Sequence, residues 1–382
     1  MNFNLTEEQQ MLQDSLRRFL ANEYSFDKRT AIIGEGKGLD RTIWNNFAEM
    51  GLLGFTFPEE HDGLGGNAID TMLVMDSFGR ALVVEPYLAT VVLAGGLIRE
   101  AGSDAQKSDI LPAITAGERL LAFAHTEAGA RYELNYVNTR AESASGGYVL
   151  NGEKTAVIHG GQADQLIVSA RTGGQTADAD GLSLFLVAAD APGVQVQDFA
   201  THDGHRTATV TLTDVQVEAD ALIGEAGQAS TLIEKVTDLG IAALCAEAVG
   251  AMEALNETTL EYLKTRKQFG VPIGKFQVLQ HRMADMFIAA EQAKSMAILA
   301  ASEADSDNRE QRRQALSMAK TLVGQSARYV GEQAVQLHGG MGVTDEMFAS
   351  HLFKRLVLIN LLLGDADYHL AQVSDGLLAQ SA

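Results

Sequence analysis

Two short stretches in the last third of the chain decide the fold. They are Arg266-Lys267-Gln268-Phe269-Gly270 and Gln336-Leu337-His338-Gly339-Gly340-Met341-Gly342. Each lies at the end of a long helical pattern. The first is basic and polar, and the second holds three glycines, which let the backbone approach a ligand closely. One glycine is enough to end a helix, so the cluster predicts a binding site at this helix end.

The sequence around these stretches has the apolar spacing of long helices. Helices longer than about 20 residues favour a bundle over helices packed singly. We predict a four-helix bundle over residues 223–382, with helices at Leu239–Thr265, Phe276–Ala304, Gln311–Leu337 and Met347–Leu378, the last interrupted near Gly364.

The chain before residue 118 is also helical in pattern, and we predict an all-helical domain over residues 1–118. Its first helix begins with Thr6-Glu7-Glu8-Gln9. This is a capping box, in which Thr6 accepts a hydrogen bond from a main-chain amide and Gln9 reaches back to the cap residue. The start of the first helix is therefore predicted at Thr6.

Residues 119–222 change to the pattern of short strands, which indicates an antiparallel β-barrel or β-sandwich domain there. Asn151-Gly152 lies between two apolar runs, which predicts a β-hairpin with a type I′ turn. The fold class is therefore α+β: an N-terminal helical domain, a middle antiparallel β-barrel or β-sandwich domain and a C-terminal four-helix bundle. Further strands are expected at Leu166–Val168, Leu182–Val187, Val194–Val196 and Thr207–Val217.

Composition excludes several classes of protein. The formal net charge of −21 over 382 residues argues against nucleic acid as a partner, and an anionic ligand would need a local basic group. The single cysteine, Cys245, lies in an apolar helical run, where a small buried residue in a reducing compartment is expected. The N-terminus lacks the features of a signal peptide, and no apolar run is long enough to span a bilayer. We therefore expect a cytoplasmic protein without a membrane partner.

The two C-terminal stretches resemble the FAD-binding signature of the acyl-CoA dehydrogenase family, "RK-x-F-G" and "Q-x-x-GG-x-G". The predicted order of domains is also that of the family, over roughly residues 4 to 375, and the resemblance implies that the middle domain is an antiparallel β-barrel. The resemblance implies an FAD cofactor, an acyl-CoA substrate and electron-transfer flavoprotein as electron acceptor, in the degradation of fatty acids or steroid side chains. It also implies a dimer or tetramer, homomeric or heteromeric, in which the diphosphate half of FAD lies across a subunit interface.

The resemblance also assigns contacts with FAD residue by residue. Thr126 matches the family's threonine that bonds the flavin ring, whereas Ala156 and Ile158 stand where the family has tryptophan and threonine. Arginine suits the diphosphate because its planar guanidinium bonds two oxygens at once. The contacts with the adenosine diphosphate half are assigned to Arg266, Gln268, Phe269, Gln277, Gln336, Leu337, Gly339 and Gly340.

The resemblance implies a base that removes the α-proton of the thioester while a β-hydride leaves for the flavin, and this chain lacks that base. Aligned on Gly364, the usual glutamate position is Leu363, and the second position used in the family is Gly240. Among nearby carboxylates, Glu247 and Asp365 are the candidates. The structural alternatives are a salt bridge within the bundle for Glu247 and a helix-capping turn for Asp365.

Three functions are consistent with this pattern. The first is the subunit of a heteromeric acyl-CoA dehydrogenase, because Arg80–Tyr87 and Leu363–Asp367 look similar to small subunits of pimeloyl-CoA and steroid side-chain dehydrogenases, whose sister chain bears the base. The second is a self-sufficient dehydrogenase with a relocated base. The third is a flavin monooxygenase of the same fold, which needs no such base. A scaffold without FAD is disfavoured, because the FAD motifs are intact.

Overall fold

The computed structural model describes residues 5–381 of the chain. This part divides into two compact units. The helical unit holds residues 5–30, 68–83 and 241–381, and the sheet unit holds residues 31–67 and 84–240. The domain boundaries after residues 118 and 222 remain a prediction. Within residues 5–381, no helix combines the length and the apolar character needed to cross a membrane.

Helices account for most of the described chain, and a π-helical segment, Leu88–Ala94, precedes the fifth of them. In chain order they are α1 (Glu7–Glu23), α2 (Phe26–Gly34), α3 (Arg41–Glu49), α4 (Ala68–Ala81), α5 (Gly95–Ala101), α6 (Asp104–Thr115), α7 (Ser230–Thr265), α8 (Gln277–Ala304), α9 (Arg309–His338), α10 (Phe348–Leu361) and α11 (Ala366–Ser381).

The first helix begins where the capping box predicts. The Thr6 hydroxyl accepts from the Gln9 amide at 3.2 Å, and the Gln9 side-chain carbonyl accepts from the Thr6 amide at 3.1 Å. Two main-chain donors that the helix leaves unpaired are thereby satisfied by residues only three positions apart. This prediction is confirmed.

The long helices of the helical unit form the predicted bundle. Helix α9 packs against α8, α10 and α11, and it carries small buried residues such as Ala319 and Ala327. The break near Gly364 separates α10 from α11. The helical part of the predicted fold class is therefore confirmed.

Helices α4 and α7 approach each other through a pair of glycines within the helical unit. A side chain at Gly79 of α4 would clash with the main-chain carbonyl of Glu247 on α7, and one at Gly250 of α7 would clash with the carbonyl of Asp76 on α4. Only glycine permits so close a contact of two helix backbones. The contact fixes the stretch of α7 that carries Glu247.

The sheet unit is built around an eight-stranded sheet. Its order is β6-β7-β3-β2-β4-β5-β8, and β1 joins it by pairing with β4. Most pairs are antiparallel, but β1 and β2 both pair with β4 in parallel. The strands are β1 (Leu121–Ala124), β2 (Arg140–Ala144), β3 (Gly147–Ile158), β4 (Gln165–Arg171), β5 (Leu182–Ala188), β6 (Val194–Ala200), β7 (Arg206–Glu218) and β8 (Leu222–Ile223).

The predicted hairpin at Asn151-Gly152 is wrong. Strand β3 runs through both residues, and the turn between β2 and β3 is formed by Ser145 and Gly146. Asn151 lies instead at an irregularity in the pairing of β3 with β7, where its side chain bonds Asp214. A side chain at Gly152 would clash with Thr139. Glycine is therefore required here because two backbones approach closely, and not because the chain turns.

Candidate functional site

The first predicted site residue, Thr126, follows strand β1 of the sheet unit. Its main-chain carbonyl accepts from the Thr155 amide at 2.8 Å, and its side chain is exposed. The preceding residue, His125, is buried, with its Nδ1 2.9 Å from the Ser169 hydroxyl. Contacts with Thr155 and Ser169 thus fix the chain at His125 and Thr126, while the Thr126 side chain stays accessible to a ligand.

The residue after Thr126, Glu127, forms a buried ion pair with Lys154. The Lys154 Nζ lies 2.7 Å from Glu127 Oε1 and also donates to the His125 carbonyl and the Ser169 hydroxyl. Burial lowers the pKa of Lys154 to about 8, against the raising effect of Glu127. Burial raises the pKa of Glu127, but Lys154 and Thr139 bring it below its usual value. The pair fixes the start of the loop that follows Thr126.

Strand β3 carries the two positions where the resemblance expects tryptophan and threonine. Ala156 is exposed and left-handed, with φ of 51°, at a second irregularity in the pairing with β7. Ile158 is half-buried. A methyl group offers no ring to stack on a flavin and an aliphatic chain offers it no hydrogen bond, so neither side chain replaces what the family pattern supplies.

The segment after α7 forms a two-stranded hairpin that displays an aromatic side chain. Strands β9 (Lys267–Gln268) and β10 (Val271–Pro272) are joined by Phe269 and Gly270, both with positive φ. Phe269 is 90% exposed, and its ring forms a T-shaped pair with that of Phe276, with centroids 6.1 Å apart. A phenylalanine held in a left-handed turn and left in water indicates a ligand or partner at this position.

The glycine cluster after α9 leaves space for a ligand. Gly339 ends the helix with φ of 60°, and both Gly339 and Gly340 are exposed. Nothing lies within 4 Å of the position that a Cβ would take on either residue. The glycines are therefore not required by packing within the described chain, and their backbone is open to a ligand.

Two residues that the sequence analysis did not select join the ends of α7 and α9. The Tyr262 ring stacks on the buried His338 ring with centroids 4.5 Å apart, and the Tyr262 hydroxyl donates to the His338 carbonyl at 3.2 Å. Tyr262 lies one helical turn before Arg266, and His338 directly precedes Gly339. The two decisive stretches are thus brought together within the helical unit. A tyrosine in a helix carries no sequence signal for this role.

The predicted contacts for the adenosine diphosphate half are accessible, with one exception. Leu337 is buried, so only its main chain can meet a ligand. An exposed aromatic ring, a guanidinium and an open glycine backbone fit the adenine and diphosphate of FAD. The side chains of Arg266, Gln268, Phe269, Gln277 and Gln336 are exposed.

The candidate base Glu247 is engaged in a buried ion pair. Arg355 of α10 donates its Nε to Glu247 Oε1 at 2.6 Å and an NH2 group to Oε2 at 2.8 Å. The side chains are 4% and 5% exposed for Glu247 and Arg355. A carboxylate held at both oxygens by a guanidinium is poorly placed to take a proton from a substrate. The geometry favours the structural alternative for Glu247.

The candidate base Asp365 lies in the turn between α10 and α11. Its Oδ1 accepts from the Tyr368 amide at 2.8 Å, which is the contact of a helix cap. Leu363, at the position expected for the family's base, has a left-handed backbone with φ of 56°. The turn thus holds a strained backbone at the position that the resemblance assigns to the base, and its residue there is a leucine.

A buried lysine holds this turn. The Lys320 Nζ donates to main-chain carbonyls, at distances of 2.8–3.0 Å. Burial lowers the pKa of Lys320 to about 8. Burial also raises the pKa of the neighbouring Cys245 thiol to about 12, as expected for a structural cysteine. The carbonyls that accept from Lys320 belong to Ile359, Asn360, Leu362 and Gly364.

His369 makes the stability of this turn depend on pH. Its ring lies 3.0 Å from the Leu363 carbonyl and 3.2 Å from the Ser317 hydroxyl, and burial lowers its pKa from 6.5 to about 4. The unfolded chain therefore binds a proton at a higher pH than the folded chain. We expect this contribution to be complete above pH ~6.5 and to be lost as the pH falls to ~4, by about 3 kcal/mol in all.

The measurement is urea unfolding of the protein and of its His369→Gln variant between pH 4 and 7. The variant should lose less of its free energy of unfolding on acidification than the parent. Burial also lowers the pKa of His125, but this residue is present in both proteins. Its contribution to the pH dependence therefore cancels when the two proteins are compared. Parallel pH dependences would contradict the assignment.

Comparison with known proteins places the whole chain in one group. Models of the acyl-CoA dehydrogenase N-terminal, middle and C-terminal domains match residues 6–118, 122–217 and 231–378. The probable acyl-CoA dehydrogenase YngJ of Bacillus subtilis is 31% identical, over 96% of this chain and 97% of the relative. The caffeyl-CoA reductase-Etf complex subunit CarC of Acetobacterium woodii is 27% identical, over 98% and 99%.

Solved structures agree over the full length. The glutaryl-coenzyme A dehydrogenase glutaryl-CoA complex superposes with a TM-score of 0.92 at 26% identity, covering 99% of this chain and 97% of that one. The ChsE4-ChsE5 complex from Mycobacterium tuberculosis gives 0.87 at 26%, and the FAD complex of PigA gives 0.90 at 25%; each comparison covers 99% of both chains.

Proposed function

The chain belongs to the acyl-CoA dehydrogenase family of FAD-dependent oxidoreductases, and from this membership we propose that it is the subunit of a heteromeric acyl-CoA dehydrogenase that binds FAD but lacks the base. The reaction is α,β-dehydrogenation of an acyl-CoA thioester in the cytoplasm, in the degradation of fatty acids or steroid side chains. A base-bearing sister chain completes the assembly.

The observation that carries the proposal is the state of the two candidate carboxylates. Glu247 is bound at both oxygens by Arg355, and Asp365 caps α11. Leu363 and Gly240 stand at the two positions where the resemblance places the base. With these carboxylates committed to structure, removal of the α-proton falls to a residue of another chain. This weighs against a self-sufficient enzyme with a relocated base.

The chain's own part in the reaction is to hold cofactor and substrate. Bound FAD supplies the acceptor for the hydride that leaves the β-carbon. Arg266 would pair with its diphosphate, Phe269 would cover the adenine, and the backbone amides of Gly339 and Gly340 would face the diphosphate. Thr126, with its accessible hydroxyl, is assigned to the flavin ring. Gln268, Gln277, Gln336 and the main chain of Leu337 complete the contacts.

An oligomer is supported by apolar side chains left in water on the helical unit. Phe269 is 90% exposed, and Val278, Phe287 and Ile288 of α8 are more than half exposed. Such side chains indicate a protein interface. The structurally similar ChsE4-ChsE5 structure is a complex of two named chains, which supports a heteromeric assembly for the present chain. CarC is named as a subunit of an Etf complex, which supports electron-transfer flavoprotein as the acceptor here.

The test is a visible spectrum of the purified protein, followed by anaerobic titration with a panel of acyl-CoA thioesters. We expect a flavin spectrum that no thioester bleaches until a base-bearing partner chain is added. Bleaching of the protein alone would overturn the proposed lack of a base. Oxygen consumption with an external flavin reductase, and no bleaching with any partner, would favour the monooxygenase instead.

A gain of function tests the position of the missing base. If Leu363 stands at that position, Leu363→Glu should allow an acyl-CoA thioester to bleach the flavin of the protein alone. Leu362→Glu adds the same charge one residue away and is the matched control, which should stay inactive. Equal behaviour of the two variants would reject Leu363 as the base position.

A further inference from the structure

The strands and loops between residues 121 and 223 contain one basic side chain that the protein itself does not use. Their basic residues are Arg131, Arg140, Lys154, Arg171 and Arg206. Four of these bind carboxylates or main-chain carbonyls. Arg131 is exposed and makes no hydrogen bond or ion pair with any residue in 5–381. It is therefore available to an external anion.

The backbone at Arg131 is strained. Its φ of 49° lies in the left-handed region, which side-chain-bearing residues rarely adopt. A glycine would take this conformation without strain. The arginine therefore adds a guanidinium at this position and introduces backbone strain that a glycine would avoid.

The loop that carries Arg131 is held by hydrogen bonds both before and after this residue. The Ala130 amide donates to the Glu127 carbonyl at 3.1 Å, and the Glu133 amide donates to the Ala130 carbonyl at 2.9 Å. Further along, buried Arg171 donates to the Asn135 carbonyl at 2.6 Å. A loop backbone that is already ordered adds little to the entropy lost on binding, so the main cost is ordering the arginine side chain. The backbone position of Arg131 is thus set before a ligand binds.

Arg131 also lies close in the chain to the residue assigned to the flavin ring. It lies five positions after Thr126, so the two Cα atoms are at most ~18 Å apart. The chain carries a net charge of −21, which repels an anionic substrate unless a local cation offsets it.

We propose that Arg131 is a specificity-determining residue that binds an anionic group of the thioester substrate. The guanidinium matches a carboxylate or a phosphate because its planar fork donates two parallel hydrogen bonds. The anion is either a carboxylate at the far end of the acyl chain or a phosphate of coenzyme A. This inference rests on the proposed function.

The experiment measures the affinity of the FAD-loaded protein for three probes by calorimetry. They are hexanoyl-CoA, adipoyl-CoA with its terminal carboxylate, and 3′-dephospho-hexanoyl-CoA. Arg131→Gln should weaken at least one probe by about 10- to 100-fold, the effect of losing hydrogen bonds to a charged group. Arg140→Gln, an exposed arginine of the same domain, is the matched control and should leave all three affinities unchanged.

The pattern of loss identifies the anion. Loss confined to adipoyl-CoA assigns the acyl carboxylate, and loss for both full thioesters but not for the dephospho probe assigns the 3′-phosphate. Equal loss for all three assigns the diphosphate. Affinities of Arg131→Gln equal to those of the parent protein for every probe would overturn the inference. A parent protein that binds no thioester would instead overturn the proposed function.

Stability separates recognition from a structural role. Arg131→Gly removes both the guanidinium and the backbone strain. We expect its thermal unfolding temperature to equal or exceed that of the parent protein, while its affinity falls as in Arg131→Gln. A fall in unfolding temperature together with the affinity would show that Arg131 supports the loop and would reject the proposal.

Discussion

Replacing Arg355 by methionine is expected to lower the free energy of unfolding by about 3–5 kcal/mol. The change removes the guanidinium that binds both oxygens of Glu247 and leaves that carboxylate buried and unpaired. Replacing both residues, as Glu247→Leu with Arg355→Met, should recover most of the loss, because an apolar pair needs no partner. Chemical denaturation of the two single variants and the double variant measures each step.

A surface pair provides the control for this cycle. Arg328 and Glu332 form an exposed ion pair one turn apart on α9, so Arg328→Met should leave the free energy of unfolding nearly unchanged. If Arg355→Met lowered the free energy of unfolding as little as this control does, the buried pair would not stabilise the fold.

The folded double variant also tests catalysis directly. Its flavin should respond to thioesters and partner chains as the parent does, whereas a loss of that response would identify Glu247 as the base.

Replacing Gly340 by valine is expected to weaken FAD binding by about 100-fold or more. The backbone at Gly340 is exposed and nothing lies near its Cβ position, so the protein itself has room for the side chain. The added methyl groups would occupy the space through which the diphosphate approaches the main-chain amides. Two lost hydrogen bonds to a charged group account for an effect of this size.

The measurement is the dissociation constant for FAD, by titration of the apoprotein, together with its thermal unfolding. Gly173→Val, at another glycine with nothing near its Cβ position, is the matched control and should retain FAD. The unfolding temperature of the Gly340→Val apoprotein should match that of the parent apoprotein. Unchanged FAD affinity would remove the glycine cluster from the cofactor site.

Features set by neighbours in the chain were predictable from the sequence. The capping box at Thr6 and Gln9 needs residues only three positions apart, and the helices of the bundle follow from a repeated apolar spacing. The break near Gly364 was predictable for the same reason. These elements were confirmed because local geometry and the distribution of apolar residues are enough to specify them.

Asn151-Gly152 shows where such local reasoning fails. The pair favours a tight turn on its own, yet β3 runs straight through it because Asp214 on β7 bonds Asn151 and Thr139 crowds Gly152. Pairing with a distant strand outweighs the preference of two residues. The sequence offers no signal for the partner that decides the conformation.

The sequence by itself determined the family, the α+β class and the order of the elements, because each depends on residue types at short spacings. Only the tertiary structure decided what the charged groups of the interior do. Glu247 meets Arg355 from 108 residues away, and Lys320 reaches carbonyls about 40 residues further on. A buried charge takes its role from the partner that satisfies it, and that partner is brought near only by packing of the helices.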